Sequence, residues 1–502
     1  MTEARALWRL TAHALASGYR EGAFTPVDAA HDCLQRIAQC EPMLNAMAWV
    51  DGPGALAAAQ ASAERWRDGR PLGPLDGVPL TLKDNLHATG LPTRWGSRLL
   101  SSAPRPRDEL PVRRSREAGM VVLGKTNLPE FALQGVTVSA LAGVTRNPWD
   151  TGLTPGGSSG GAAASVAAGY APLALATDGG GSIRRPAAYC GVVGLKPSTG
   201  VVPRGDGLPD LFLGHEAVGG LARNVADLRL LLTAISSRAL DAVCEPRARL
   251  LFLPRLGARP VDRRLLAAAR QVAAQWVDLG HAVTEQPGAD WADEVHALWP
   301  RLSASGLAWM LDKTHEWPDL FDAGTDGSDA EDATRLAARL ALCDDASRAL
   351  YRQGRALPAT ALFELADATQ RLQRALVDVF TRCDFILTPA TSALPWPADQ
   401  PYPLHIDDEP AGPRADAVFT PFVNAAGLPA IALPCGMVDG LPVAFQLVGP
   451  RGSDARLLAM AEAYEALGRS SLPQHPLPVP FAPTPTPTPT PASASAPEDK
   501  TP

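Results

Sequence analysis

The sequence predicts an α/β protein built as one large domain, and three observations carry that expectation. Between residues 75 and 235, short apolar runs such as 78–82 (VPLTL) and 173–177 (LALAT) alternate with helix-forming stretches, the rhythm of strands joined by helices. Residues 250–279 repeat it, with LLFLP at 250–254 reading as a strand and 262–279 as a helix. Finally, no linker interrupts the chain between residues 75 and 450. A length of 502 residues would allow two or three domains, so the missing linker decides for one.

The elements follow in order. Residues 1–70 read as helices, among them 26–37 and 55–66, that cap the core from outside. The run 78–82 ends at Lys83 as a short buried strand. The loop beginning at Thr154 (TPGGSSGG) runs straight into alanines of strong helix propensity, so Ser158 or Ser159 sits at a helix start. From 291 to 378 the chain is mainly helical, carries Trp291, Trp299, Trp309 and Trp317, and is broken by the polar stretch DAGTDGSDAED at 322–332. The tail at 481–502, rich in Pro-Thr repeats, reads as extended and disordered.

Composition narrows the function classes. Hydrophobic residues make up 46% and charged residues 20%, close to globular averages. A net charge of −7 with scattered basic residues offers no footprint for nucleic acid. Seven cysteines without a C-x-x-C pair fit free buried thiols in a reducing compartment; Cys190 and Cys435 read as packing residues. No run of 18 apolar residues and no targeting segment is found, which points to a cytoplasmic protein with no membrane attachment.

The most informative segment is TDGGGSIRRPAAYC, residues 177–190. It places Ser182 after three glycines that leave a strand, where only glycine lets the backbone turn several N–H groups toward one point. Converging N–H donors from Gly179, Gly180, Gly181 and Ser182 beside a hydroxyl make an oxyanion hole next to a nucleophile, the requirement of acyl transfer. The bland alternative is a flexible turn or a phosphate cradle. In the GGSSG loop, a serine at a helix start needs no chemistry, being a common N-cap. That string also fits the G-x-S-x-G nucleophile elbow, but the elbow needs a preceding strand and this chain has the two-proline loop NPWDTGLTP instead. Lys83 (LTLKDN) and Lys125 (VLGKTN) stand in nearly identical local settings, and local context does not choose between them. None of the nine histidines lies in either glycine and serine loop; His87 and His215 are the nearest to the lysine and to the second loop.

Taken together, GVPLTLKDN, GKTNLPEFA, TRNPWDTGLTPGGSSGG, TDGGGSIRRPAAYCGVVGLKPS, VNAAGLPAIALPCG and DGLPVAFQLVGP resemble, in order, the blocks of the amidase signature family. The resemblance covers most of the chain. It implies a central twisted mixed β-sheet covered by helices on both faces, with the signature domain over 71–480, the N-terminal helical part at 1–70, and a variable helical segment at 290–380 that shapes the substrate pocket. It implies hydrolysis of an amide through a Ser-Ser-Lys triad, with Lys83 as base, Ser158 as bridging and substrate-contacting serine beside a cis peptide, and Ser182 as nucleophile. Thr177, Asp178 and Arg184 become supporting residues, the last two as an internal ion pair. Ser159 and Lys125 also support, and Ala132 lines the acyl pocket. A small-molecule amide is the implied partner; a homodimer is left open, and no metal or cofactor enters. The same signature occurs in the glutaminase component of tRNA-dependent amidotransferases, which is the alternative. Gly179 and Gly220 depart from the commoner family pattern.

A lysine base must be neutral, although its free pKa is about 10.4. Lowering it to about 7 costs the charged form roughly 4 to 5 kcal/mol, which burial away from carboxylates would supply.

Overall fold

The computed structural model describes residues 6–205, 207–242, 244–245, 247–321 and 332–468, with side chains described from 335 in the last of these. The expected disordered tail at 481–502 and the polar stretch at 322–331 lie outside the described residues.

Eleven strands form one mixed sheet. They are β1 (Met47–Val50), β2 (Pro79–Lys83), β3 (Val121–Thr126), β4 (Leu173–Asp178), β5 (Val193–Lys196), β6 (Ala217–Ala222), β7 (Arg249–Phe252), β8 (Ala282–Glu285), β9 (Phe385–Pro389), β10 (Ala430–Val438) and β11 (Leu441–Val448). The spatial order is β1-β3-β2-β4-β6-β5-β10-β11-β9-β7-β8. The pairs β3/β2, β2/β4, β9/β7 and β7/β8 are parallel and the rest antiparallel. The short runs expected at 78–82, 173–177 and 250–254 are β2, β4 and β7, each within two residues of the expected bounds.

Period-two alternation sorts these strands between two cores. Leu80 and Leu82 of β2, Leu173 and Leu175 of β4, and Phe445 and Leu447 of β11 pack with Leu228, Leu231, Trp276, Leu457 and Leu458. Those partners come from helices Val225–Ile235, Arg263–Asp278 and Asp454–Ala466 on one face. Ala174, Ala176 and Ala432 point the other way, onto Ala162, Ala163, Val166, Ala187 and Ala188. These belong to helices Gly160–Ala168 and Arg184–Cys190. Alanine against alanine lets those helices lie close to the sheet; a Cβ on Gly161 would come 2.5 Å from Asn127 O, so a larger side chain would push the helix out. Farther along the same face, Ile386 and Val448 pack with Trp299, Leu302, Leu365 and Leu372. These lie on helices Asp293–Asp312 and Thr360–Arg382 within the segment expected to be helical.

At the N-terminal end the helix read at 26–37 runs on to Leu44, because Cys40 and Leu44 continue the buried stripe of Cys33 and Ile37. A capping box between Thr25 and Asp28 starts it. With Gly52–Arg67 it packs on Val121 and Leu123 of β3. Among the described residues no helix is long and apolar enough to cross a membrane.

Candidate active site

The polar site forms on the alanine face, where β2 and β4 end side by side. Thr81 and Lys83 leave β2 on this face, and Thr81 Oγ1 lies 3.0 Å from Ser165 Oγ of the alanine-rich helix. Lys83 Nζ lies 2.8 Å from Ser158 Oγ, 2.9 Å from Thr177 Oγ1 and 3.3 Å from Thr177 O. The Gly157–Ser158 peptide is cis. Ser159 is the residue before the helix, but its hydroxyl does not cap it. Instead Ser159 Oγ donates to Thr177 O at 3.1 Å, and Ser159 N–H donates to Ser182 O at 3.1 Å. The two glycine and serine loops are thereby tied together. Ser182 Oγ itself makes no hydrogen bond among the described residues.

Lys83 and Lys125 are both fully buried, yet their surroundings differ. Lys125 Nζ pairs with Asp84 at 3.1 Å and also donates to Thr93 Oγ1 and Pro92 O. Lys83 has hydroxyl and carbonyl neighbours and, among the described residues, no carboxylate partner. Burial brings its pKa down to about 7, against the upward pull of the more distant Glu216 and Asp178. Thr177 Oγ1 is positioned by Asn85 Nδ2, which donates to it at 2.9 Å.

The turn after β4 is held by a buried polar core. Asp178 and Arg184 form a fully buried pair at 2.9 Å. Burial alone would raise the Asp178 carboxyl; Arg184 and the N–H of Gly181 overcome this and hold it well below the usual carboxylate range. Arg184 also donates to Asn424 Oδ1 at 2.6 Å and Gln446 Oε1 at 2.7 Å, and Asn424 Nδ2 donates to Asp178 O at 2.7 Å. Gly181, at φ +112°, donates its N–H to Asp178 Oδ1 at 2.7 Å. That donor is therefore taken, whereas the N–H groups of Gly179, Gly180 and Ser182 have no hydrogen-bond partner among the described residues. Arg184→Ala would leave Asp178 as a buried charge without its partner, so we expect a loss of about 3–5 kcal/mol in unfolding free energy, read by urea denaturation.

A cavity of about 380 Å³ opens at Ser182. Ala132, Gly179 and Gly180 border it on the loop side, and Phe212, Trp299, Leu350, Pro401 and Tyr402 make its walls largely apolar. Of the four tryptophans between 291 and 317, only Trp299 lines it. A Cβ on Gly179 would stand 3.2 Å from the Phe212 ring, so the missing side chain there is matched by an aromatic wall. Gly220 is a packing feature, since a Cβ would meet Leu231 Cδ2 at 2.7 Å.

Neither His87 nor His215, the histidines nearest in sequence, hydrogen-bonds to the serines. His87 is pushed down to about 3 by burial and nearby cations, and His215 Nδ1 lies 3.3 Å from Asn424 O. Cys190 is fully buried against Pro155 O, with burial raising its thiol pKa. Sequence reasoning misses the roles of Asn85, Asn424 and Gln446: their blocks carry the family resemblance, but nothing local tells which side chain points inward. It misses Thr420, whose Oγ1 donates to Gly180 O at 2.8 Å, Asp416, which pairs with Arg185 at 2.6 Å, and Arg414 on the cavity wall as well. Their stretch, 411–420, carries little sequence signal.

Residues 28–458 match the family model described as Amidase. A glutamyl-tRNA(Gln) amidotransferase chain of Chloroflexus aurantiacus is 33% identical over 495 residues, which cover 93% of this chain and 98% of that protein. The native peptide amidase of Stenotrophomonas maltophilia is 30% identical and superposes with a TM-score of 0.75 over 93% of this chain and 98% of its own. A bacterial aryl acylamidase of the amidase signature enzymes superposes with a TM-score of 0.80 over 91% of this chain and 96% of its own; at 24% identity it bears on the fold alone. Similarity of this extent defines an enzyme that acts on amide C–N bonds, as hydrolase or amidotransferase. The chain belongs to the amidase signature family.

Proposed function

We propose that the protein hydrolyses a carboxamide through an ester on Ser182, with Ser158 and Lys83 as its proton relay. The observation that carries this reading is Lys83 Nζ, fully buried without a carboxylate partner among the described residues and 2.8 Å from Ser158 Oγ. A neutral amine has two N–H groups and one lone pair. Thr177 O and Thr177 Oγ1 accept the two N–H groups, which leaves the lone pair for the Ser158 proton. Ser182 Oγ then attacks the amide carbonyl carbon, its proton passes to Ser158, and the Ser158 proton passes to Lys83. The oxyanion is received by the N–H groups left free in the glycine turn. As the C–N bond breaks, Lys83 returns a proton through Ser158 to the leaving nitrogen, so ammonia or an amine departs neutral. Water, deprotonated by the same relay, splits the ester into a carboxylic acid and free Ser182.

A second reading is favoured by the sequence relatives, which are named as components of a glutamyl-tRNA(Gln) amidotransferase. In it the same relay releases ammonia from glutamine within a complex, and the expectation of no nucleic-acid partner gives way. The aromatic walls of the cavity favour stand-alone hydrolysis of an aryl or alkyl amide instead. The test is ammonia and amine release by the purified chain across aryl amides, alkyl amides and glutamine. Turnover of simple amides by the chain alone is expected. Activity confined to glutamine, and dependent on added partner chains, would establish the amidotransferase reading in its place.

A further inference from the structure

Among the described residues, Arg414 is the charged side chain at the cavity that has no ion-pair partner. It borders the cavity together with Ser182, Gly180 and Trp299. Its NH2 atom would lie 3.6 Å from a Cβ on Gly180, two residues before Ser182, and Trp299 Nε1 would lie 3.0 Å from the same point. The Arg414 Nε and NH2 atoms are shielded from solvent and have no hydrogen-bond partner. The nearby carboxylates are already engaged: Asp416 pairs with Arg185 at 2.6 Å, and Asp293 with Arg259 at 3.5 Å. Three arginines therefore face two carboxylates, and the surplus cation stands beside the nucleophile loop. His296, on the far side of Arg414, is neutral at physiological pH, because burial first and Arg259 and Arg414 next push it down to about 3. Arg414 also holds a left-handed backbone at φ +66°, uncommon for a residue with a Cβ.

A guanidinium shielded from water and lacking a counter-ion is costly to keep, and a carboxylate is the ligand that matches its planar donors. We infer that Arg414 receives a carboxylate of the substrate, so that the enzyme selects amides bearing a second, anionic group close to the scissile bond. Asp416 is tied to Arg185, so the cavity offers a cation for a carboxylate and no free anion for an ammonium. A monoanionic amide suits it better than a zwitterion.

This inference rests on the amide-hydrolysis reading for its meaning, but its test does not need turnover. Calorimetry on Ser182→Ala protein compares two matched pairs: succinamate with butyramide, and N-benzoylglycine with N-propylbenzamide. The carboxylate lies on the acyl side in the first pair and on the amine side in the second. At least one carboxylate-bearing member is expected to bind about ten-fold or more tightly than its neutral counterpart. Adding Arg414→Gln should abolish that preference, and Arg414→Lys should keep part of it. Equal affinity within both pairs, absence of binding by both carboxylates, or a preference that survives Arg414→Gln would overturn the inference. The comparison within each pair in Ser182→Ala protein does not depend on an Arg414 variant folding. Failure of the hydrolysis reading is read separately, as no amide turnover by protein with Ser182 intact.

Discussion

Lys83→Ala is expected to lower turnover by several orders of magnitude and to flatten the basic limb of the pH–rate profile. The rate should rise with pH through about 7, because Lys83 accepts a proton only when neutral and its pKa is lowered to that value by burial. Loss of a general base alone costs roughly 10²–10⁴. Lys83 also holds Ser158 at 2.8 Å, so the loss should exceed that range. The matched control is Lys125→Ala combined with Asp84→Asn, which removes the second buried lysine without stranding its carboxylate. That double variant should keep the limb. Kinetics from pH 5 to 9 would decide it, and loss of the limb in both proteins would reject Lys83 as the base. A histidine limb is not expected: His87 titrates far below this range, and burial lowers His215 as well.

Ser182→Ala should abolish measurable turnover, a loss on the order of 10⁶ as when a nucleophilic serine is removed elsewhere, while the fold persists. Stability should hold because Ser182 Oγ makes no hydrogen bond among the described residues, and the Ser182 carbonyl that ties the two loops is retained in alanine. A fluorophosphonate should add its mass to the peptide containing Ser182, and mass spectrometry would locate it. Labelling at Ser159 or at a cysteine would reject the assignment. Ser159 is the sharp comparison, since its hydroxyl is already committed to Thr177 O.

The glycine run before Ser182, the alanine-rich helix after the first serine loop and the short apolar strands could all be read from sequence because each rests on local chemistry. Glycine frees the turn, alanine favours the helix, and alternation along 173–177 sends Leu173 and Leu175 to one core and Ala174 and Ala176 to the other. The pocket was less legible. Trp299 lies in the cavity wall while Trp309 is 40% exposed, and nothing in their local sequence separates them. Arg414 lies in a proline-rich stretch without a motif, and its place beside Gly180 is made by residues more than two hundred positions apart.

By itself the sequence determined the α/β class and the two serine loops, and its family resemblance pointed to Lys83 rather than Lys125 as the base; the physical difference between those lysines lies only in the tertiary structure. Lys83 is the last residue of β2 and points away from the side of Leu82, and Asp84 follows in the turn just beyond the strand. The parallel pairing of β2 with β3 sets Leu82 opposite Lys125, which puts Lys125 on the side of Asp84 and completes an ion pair at 3.1 Å. Lys83 is left on the other side among hydroxyls, with no carboxylate within ion-pair distance among the described residues. Strand register, a long-range property, thus separates a lysine paired with a carboxylate from one that burial can make neutral.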